Sequence, residues 1–148
     1  MPRKQYTYDY PRPAVTVDIV VLTREPRPRV LLIRRGHAPF AGRWAIPGGF
    51  VEEDETLEAA ARRELHEETG VAVKQLEQLG AFGDPGRDPR GHTISVAFLA
   101  WVHPREVKPK ADDDAAAVGW HSLAKPPRMA FDHAEILKCA RDWVKEKS

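Results

Sequence analysis

Apolar residues follow two rhythms along this chain. Ala14 to Leu22 (AVTVDIVVL) and Thr93 to Val102 (TISVAFLAWV) are rich in apolar and β-branched residues, the signature of strands buried in a sheet. Arg29 to Arg34 (RVLLIR) repeats that pattern, and the two prolines between Arg24 and Pro28 predict a turn, so the first two strands are expected to form a hairpin. Ala45-Ile46-Pro47-Gly48-Gly49 predicts a short strand breaking into a turn, Val71 to Phe82 a long strand-like segment, and Ala115 to His121 a further strand. Helical spacing takes over twice. Thr56 to Thr69 is dense in Leu, Ala, Glu and Arg and is followed by Gly70, a residue suited to a left-handed helix end. Ile136, Leu137, Ala140, Trp143 and Val144 supply one apolar face of a terminal helix that Phe131-Asp132-His133-Ala134-Glu135 opens. Asp132 with Glu135 three residues later reads as a capping box. Strands divided by one central and one terminal helix predict an α/β fold, a mixed sheet between helices.

The connections are polar and punctuated. Residues 1–13 hold three prolines and the alternating Tyr6, Tyr8 and Tyr10, and are expected to form an arm on a single domain spanning 14–148. RGHAPFAGRW, residues 35–44, reads as a loop whose Arg35 and Arg43 could grip phosphates with their guanidinium forks. GDPGRDPRGH, residues 83–92, cannot be core. Asp112-Asp113-Asp114 forms an acidic cluster before the last strand, and Lys125-Pro126-Pro127 a linker.

Composition narrows the function classes. A length of 148 residues with 42% hydrophobic content suits one domain. The single cysteine, Cys139, rules out an internal disulfide, reads as a packing residue, and fits a cytoplasmic setting. No apolar run approaches membrane length and the basic N-terminus lacks an apolar signal core, so neither membrane insertion nor secretion is expected. A net charge of +1 offers no basic stripe for nucleic acid, and the six scattered histidines lack zinc-ligand spacing. The tyrosine arm and four tryptophans permit a homodimer without requiring one.

Charge is concentrated in one place. Residues 49–71 carry eight of the chain's 22 acids against two arginines, leaving the remainder of the chain clearly basic. On a helix, Ala60, Glu64 and Glu68 form one row, Leu57, Ala61 and Leu65 the next, and Arg63 and Glu67 a third. Like charges at such spacing cost a few tenths of a kcal/mol per pair, and a hard dication reverses that cost.

Gly49, Glu55, Arg63-Glu64-Leu65, Glu67-Glu68 and Gly70-Val71 stand at the spacing of the Nudix box, and the chain resembles the Nudix hydrolase family with every fixed position filled. The resemblance implies an α/β/α sandwich. It also implies Mg²⁺, with Mn²⁺ as the alternative, held by Glu64 and Glu68 with Glu67 as an additional ligand and the Gly48 carbonyl completing the set. Glu55 and Arg63 would orient the helix. Pro85 lies about fifteen residues past the box, and with the run GRDPRGHTISVAF it resembles the family's ADP-ribose pyrophosphatase branch. That branch implies a small nucleotide substrate, with Arg87 and Arg90 at its diphosphate or ribose, and Phe131 and His133 beside the base or distal ribose.

The implied reaction is hydrolysis of ADP-ribose to AMP and ribose 5-phosphate. Glu64, Glu67, Glu68, Asp113 and Asp114 are the catalytic candidates, Glu67 or the aspartates 112–114 serving as base, with Glu106 competing. Oxidised nucleoside triphosphates, dinucleoside polyphosphates and NADH are rival substrates within the family. A rival of another class is a non-catalytic ADP-ribose-binding module, as in Nudix-domain transcription regulators, which carry a further DNA-binding domain and often lose box carboxylates.

Overall fold

A computed structural model describes residues 5–112 and 115–147. Its elements run β1 (Ala14–Thr23), β2 (Arg29–Arg35), β3 (Trp44–Ala45), β4 (Gly48–Phe50), α1 (Leu57–Thr69), β5 (Glu77–Phe82), β6 (Thr93–Val102), β7 (Ala115–Ser122) and α2 (His133–Lys147). Among the described residues the strands make one seven-stranded mixed sheet, ordered β3-β2-β1-β6-β5, with β7 added on β2 and β4 on β1.

The pleat of β1 divides the core. Val20 and Leu22 face one side with Val30, Leu32, Leu99 and the α2 residues Ile136, Leu137 and Ala140. Val17, Ile19 and Val21 face the other with Leu31, Phe98 and the α1 residues Ala60, Ala61 and Leu65. Alternate residues of one strand therefore bury the two helices on opposite faces, giving the α/β/α sandwich. Leu65 is fully covered, and burying such a side chain contributes about 2 kcal/mol toward holding α1 on the sheet. Cys139 is half-buried on α2, and burial raises its thiol pKa. No helix among the described residues is long and apolar enough to cross a membrane.

Four local expectations need correction. The β1–β2 hairpin amounts to a single paired position, Leu22 with Val30, because β4 takes Thr16, Val17 and Asp18 on that edge of β1, while parallel β6 fills the other edge from Ala14–Thr93 to Thr23–Val102. Val71–Leu76 is not strand. Val71, Val73 and Leu76 pack on the α1 core, while the Arg62 guanidinium takes the carbonyls of Val73 and Lys74. The strand at Trp44 splits around Ile46-Pro47, since β3 pairs with β2 and β4 crosses to pair with β1 at Thr16, Val17 and Asp18. Asp132 caps α2 only through its backbone carbonyl, which accepts from the amides of Glu135 and Ile136, because its carboxylate is engaged by Arg87. The described part of the arm, residues 5–13, forms no strand; Tyr6 donates from its hydroxyl to Glu53 at 2.9 Å.

Candidate active site

Helix α1 presents the acids. Thr56 caps its start by accepting the Ala59 amide at 3.1 Å, and Gly70, with φ of 74°, ends it while donating its amide to His66. These caps and the buried Ala60-Ala61-Leu65 stripe fix the helix so that Glu64 and Glu68 look into a cleft of about 670 Å³ at the edge of the sheet. Glu68 is half-buried, and its Oε2 is shielded from solvent with no hydrogen-bond partner among the described residues. Burial and the nearby Glu64 push its pKa up to about 9, against the opposing pull of the Gly48 amide. Burial also raises the pKa of Glu64, with Arg63 pulling it down.

Gly49 leaves room for Glu64: a Cβ there would stand 2.5 Å from its carboxylate. Gly48 is tighter still, since a Cβ would stand 2.0 Å from the Val17 carbonyl and 2.5 Å from Asp18 Oδ1.

Arg63 ties the acidic helix to the turn before it. Its guanidinium donates to Glu55 at 2.7 and 2.9 Å, to Glu64 at 2.8 Å, to Glu67 at 3.2 Å and to the Phe50 carbonyl at 3.1 Å. The Arg63 bond, aided by the Glu52 amide, holds the Glu55 pKa down to about 2. The expected supporting pair is therefore assembled.

The cleft is also lined by cationic and aromatic residues. Arg35 and Arg90 line the cleft with Phe50 and Phe131. The Arg35 guanidinium lies 5.0 Å from the Phe131 ring centroid, and that of Arg90 stands 5.0 Å from Phe50 and 5.4 Å from Phe131. Asp88, almost fully buried, steadies Arg90 through both carboxylate oxygens. Phe131 has a φ of 52°, an unusual conformation for a non-glycine residue, and packs edge-on against Phe40 at 4.9 Å.

Two predicted arginines stand differently. Arg87 lines the cleft, but its side chain is only 5% exposed and committed to Asp132 by bonds of 2.6 and 2.9 Å, so it anchors the 83–92 loop to the start of α2. Arg43 does not line the cleft; its guanidinium lies 5.2 Å from the Phe40 ring.

Among the proposed bases, Glu67 lines the cleft with its side chain 55% exposed and paired to Arg63. Asp112 lines it too, its amide donating to the Glu68 carbonyl at 3.3 Å. Asp113 and Asp114 lie outside the described residues. Glu106 borders a different depression, with Arg24 and His103, and is removed from the acids. Asp18, His37 and Phe50 also line the cleft and were missed. An aspartate in the middle of the apolar run AVTVDIVVL was an available signal for Asp18; His37 and Phe50 carried none.

The residues present fit a hard divalent cation. Among the described residues no three His, Cys, Asp or Glu side chains already stand together as a closed cage. Mg²⁺ does not require one, since it keeps waters and shares its shell with substrate phosphates. The orphaned Glu68 oxygen, two carboxylates with raised pKa values side by side, and the glycine left open beside Glu64 are what a site built for a missing positive charge shows.

An acid-lined cleft on a three-layer α/β sandwich, faced by arginines, is the form of a phosphate-ester or phosphoanhydride hydrolase. The NUDIX domain family matches residues 12–139, and the chain belongs to it as a Nudix hydrolase. An ADP-ribose pyrophosphatase of Methanocaldococcus jannaschii is 45% identical over 134 residues, covering 90% of this chain and 76% of that protein. The NUDIX domain of Shewanella oneidensis NrtR complexed with ADP ribose superposes with a TM-score of 0.82 at 34% identity, over 93% of this chain and 94% of that one. A bifunctional NMN adenylyltransferase/ADP ribose pyrophosphatase of Francisella tularensis, complexed with AMP and a Mn ion, gives a TM-score of 0.76 at 32% identity, over 91% of this chain and 43% of that one.

Proposed function

We propose that this protein is a divalent-metal-dependent hydrolase that cleaves the diphosphate of ADP-ribose to AMP and ribose 5-phosphate. The observation that carries the reading is one cleft that brings Glu64 and Glu68 together with Arg35, Arg90, Phe50 and Phe131. Such a cleft can hold a diphosphate between cation and guanidinium groups while a flat base lies on an aromatic ring. The 45% identity to an ADP-ribose pyrophosphatase supports the choice of substrate.

Glu64, Glu68 and the Gly48 carbonyl would hold Mg²⁺ or Mn²⁺, with Glu67 as the additional ligand. Bound there, the ion supplies positive charge against the diphosphate and lowers the pKa of nearby water. Arg35 and Arg90 orient the substrate oxygens. A carboxylate, Glu67 or Asp112, accepts the proton of the water whose oxygen adds to phosphorus as the bridging P–O bond breaks. Phe131 and Phe50 border the base. Arg63 and Glu55 hold the acidic helix in register with the glycine turn.

The test is incubation of purified protein and Mg²⁺ with ADP-ribose, a diadenosine polyphosphate, NADH, and oxidised and normal nucleoside triphosphates, with products resolved by chromatography. Selective formation of AMP from ADP-ribose is expected. Preferential release of inorganic pyrophosphate from a triphosphate would overturn the substrate while leaving the metal chemistry in place.

A second reading is a binding module, favoured by the complex of the NrtR NUDIX domain with ADP ribose. Every box carboxylate is present here, which supports turnover. Tight ADP-ribose binding with no product in Mg²⁺ or Mn²⁺ would decide for the module.

A further inference from the structure

Beneath the turn that leads into the acidic helix lies a buried polar chain that the reaction above does not use. Asp18 sits in the middle of β1, paired with Gly48 of β4 on one side and Ala97 of β6 on the other, and is 5% exposed. Its Oδ2 accepts the hydroxyl of the fully buried Ser95. Its Oδ1 faces His133 Nε2 at 3.6 Å. His133, the first residue of α2, is equally covered, and its Nδ1 accepts the Ile46 amide at 3.0 Å.

That last bond fixes the imidazole. A ring nitrogen that accepts an amide proton carries none of its own, so the hydrogen resides on Nε2 and points toward Asp18. Burial also lowers the His133 pKa, in keeping with a neutral ring. Asp18 is thus hydrogen-bonded by a hydroxyl of β6 and faced, at 3.6 Å, by a ring of α2.

What it supports is Gly48. The glycine's Cα rests so closely on Asp18 that a Cβ would be 2.5 Å from Oδ1, and its amide lies near enough to the Glu68 carboxylate to pull its pKa down. The Pro47 carbonyl, one residue earlier, accepts the Ile19 amide at 2.9 Å, so the turn is also pinned to β1 next to Asp18.

We propose that Asp18, held in one rotamer by Ser95 and His133, is a positioning residue that sets the height of the Ile46–Gly48 turn and so the separation between the Gly48 carbonyl and Glu68. Asp18 and His133 both line the cleft, and Asp18 acts on the cation site through Gly48. The inference rests on the metal reading given under the proposed function, and it adds residues that reach the cation only through Gly48. Second-layer partners of metal ligands typically change affinity 10- to 100-fold.

The test titrates Mn²⁺ into substrate-free protein, following the free-ion signal by electron paramagnetic resonance, with thermal unfolding recorded alongside. Asp18→Leu and His133→Asn are expected to weaken Mn²⁺ binding about tenfold or more. Asp18→Asn keeps the shape and can bond Ser95 with the donor reversed, and is expected to stay within about threefold of wild type. Should Asp18→Leu fail to fold, His133→Asn carries the test, since its amide oxygen can still receive the Ile46 proton but cannot reach Asp18. A lowered Tm with Mn²⁺ affinity within about twofold of wild type would mean that the chain is merely structural and overturn the proposal. Glu68→Gln is the control. If that variant also keeps its Mn²⁺ affinity, the metal reading falls and takes this inference with it; if only Glu68→Gln loses it, the inference alone fails.

Discussion

Arg63 grips Glu55 through two bonds, of 2.7 and 2.9 Å, and with the same guanidinium reaches Glu64 at 2.8 Å. A planar guanidinium can hold one carboxylate through two parallel bonds and still reach another, a geometry that a compact ammonium does not reproduce. Arg63→Lys is therefore expected to lower kcat/KM for ADP-ribose by about 10- to 100-fold while the protein stays folded. Steady-state kinetics beside a circular dichroism melt checks this, and unchanged kinetics would reduce the pair to surface decoration.

The same pair shapes acid stability. Glu55 has its pKa lowered to about 2 in the folded protein, below its ordinary 4.5. A depressed acid binds fewer protons folded than unfolded, so its contribution is complete above about 4.5 and is lost as the pH falls toward about 2. Urea midpoints measured between those limits should fall more steeply for wild type than for Glu55→Gln. Parallel slopes would contradict the assignment.

Gly49 offers a separation of function from stability. The nearest atoms a Cβ there would meet belong to the end of the Glu64 side chain, at 2.5 Å. The fold can yield by moving that carboxylate, but the cleft then loses its acid from position. Gly49→Ala should keep a Tm within a few degrees of wild type and lose about tenfold or more in kcat. A large drop in Tm with normal kcat would reverse the argument.

The loop arginines should part company under mutation. Arg87 is buried against Asp132, and removing it strands a half-buried carboxylate, so Arg87→Leu is expected to cost about 2 kcal/mol of stability. Arg90 has a side chain 43% exposed and lines the cleft while bonding the almost fully buried Asp88, so Arg90→Leu should raise KM in addition to costing about 2 kcal/mol of stability. Denaturant titration and KM measured on both variants distinguish anchor from ligand.

Glu68→Gln replaces a half-buried carboxylate by its neutral isostere. Turnover should fall below about a tenth of wild type, with the unfolding midpoint of the metal-free protein unchanged or higher, because an unpartnered buried acid is costly. Retention of more than that activity would remove Glu68 from the metal site.

Much of this was legible in the chain because it rests on local rules. The acidic helix, its glycine end and its buried stripe follow from spacing alone, and β6 matches its expected span of Thr93 to Val102. What could not be read was set by distant partners. Nothing within Asp132 and Glu135 says that Arg87, forty-five positions away, takes the carboxylate that would otherwise cap the helix. Nor does the AVTVDIVVL run announce that β1 prefers parallel β6 to its neighbour in sequence. Arg35 and Arg43 look alike in one loop, yet the fold turns one into the cleft and lays the other on Phe40.

The ladder between β1 and β6 governs the order in which this molecule can come into being. Every pair from Ala14–Thr93 to Thr23–Val102 joins stretches of the chain that synthesis separates by the whole acidic helix and the 83–92 loop. A growing chain that has reached Phe82 already contains a complete acidic helix, yet β1 still lacks the strand that flanks it and Asp18 still lacks Ser95. Non-local pairing of this kind is slow to form, and the cleft's acids and arginines wait on it. Catalytic competence therefore arrives late in biogenesis, and an incomplete chain carries the box without the enzyme.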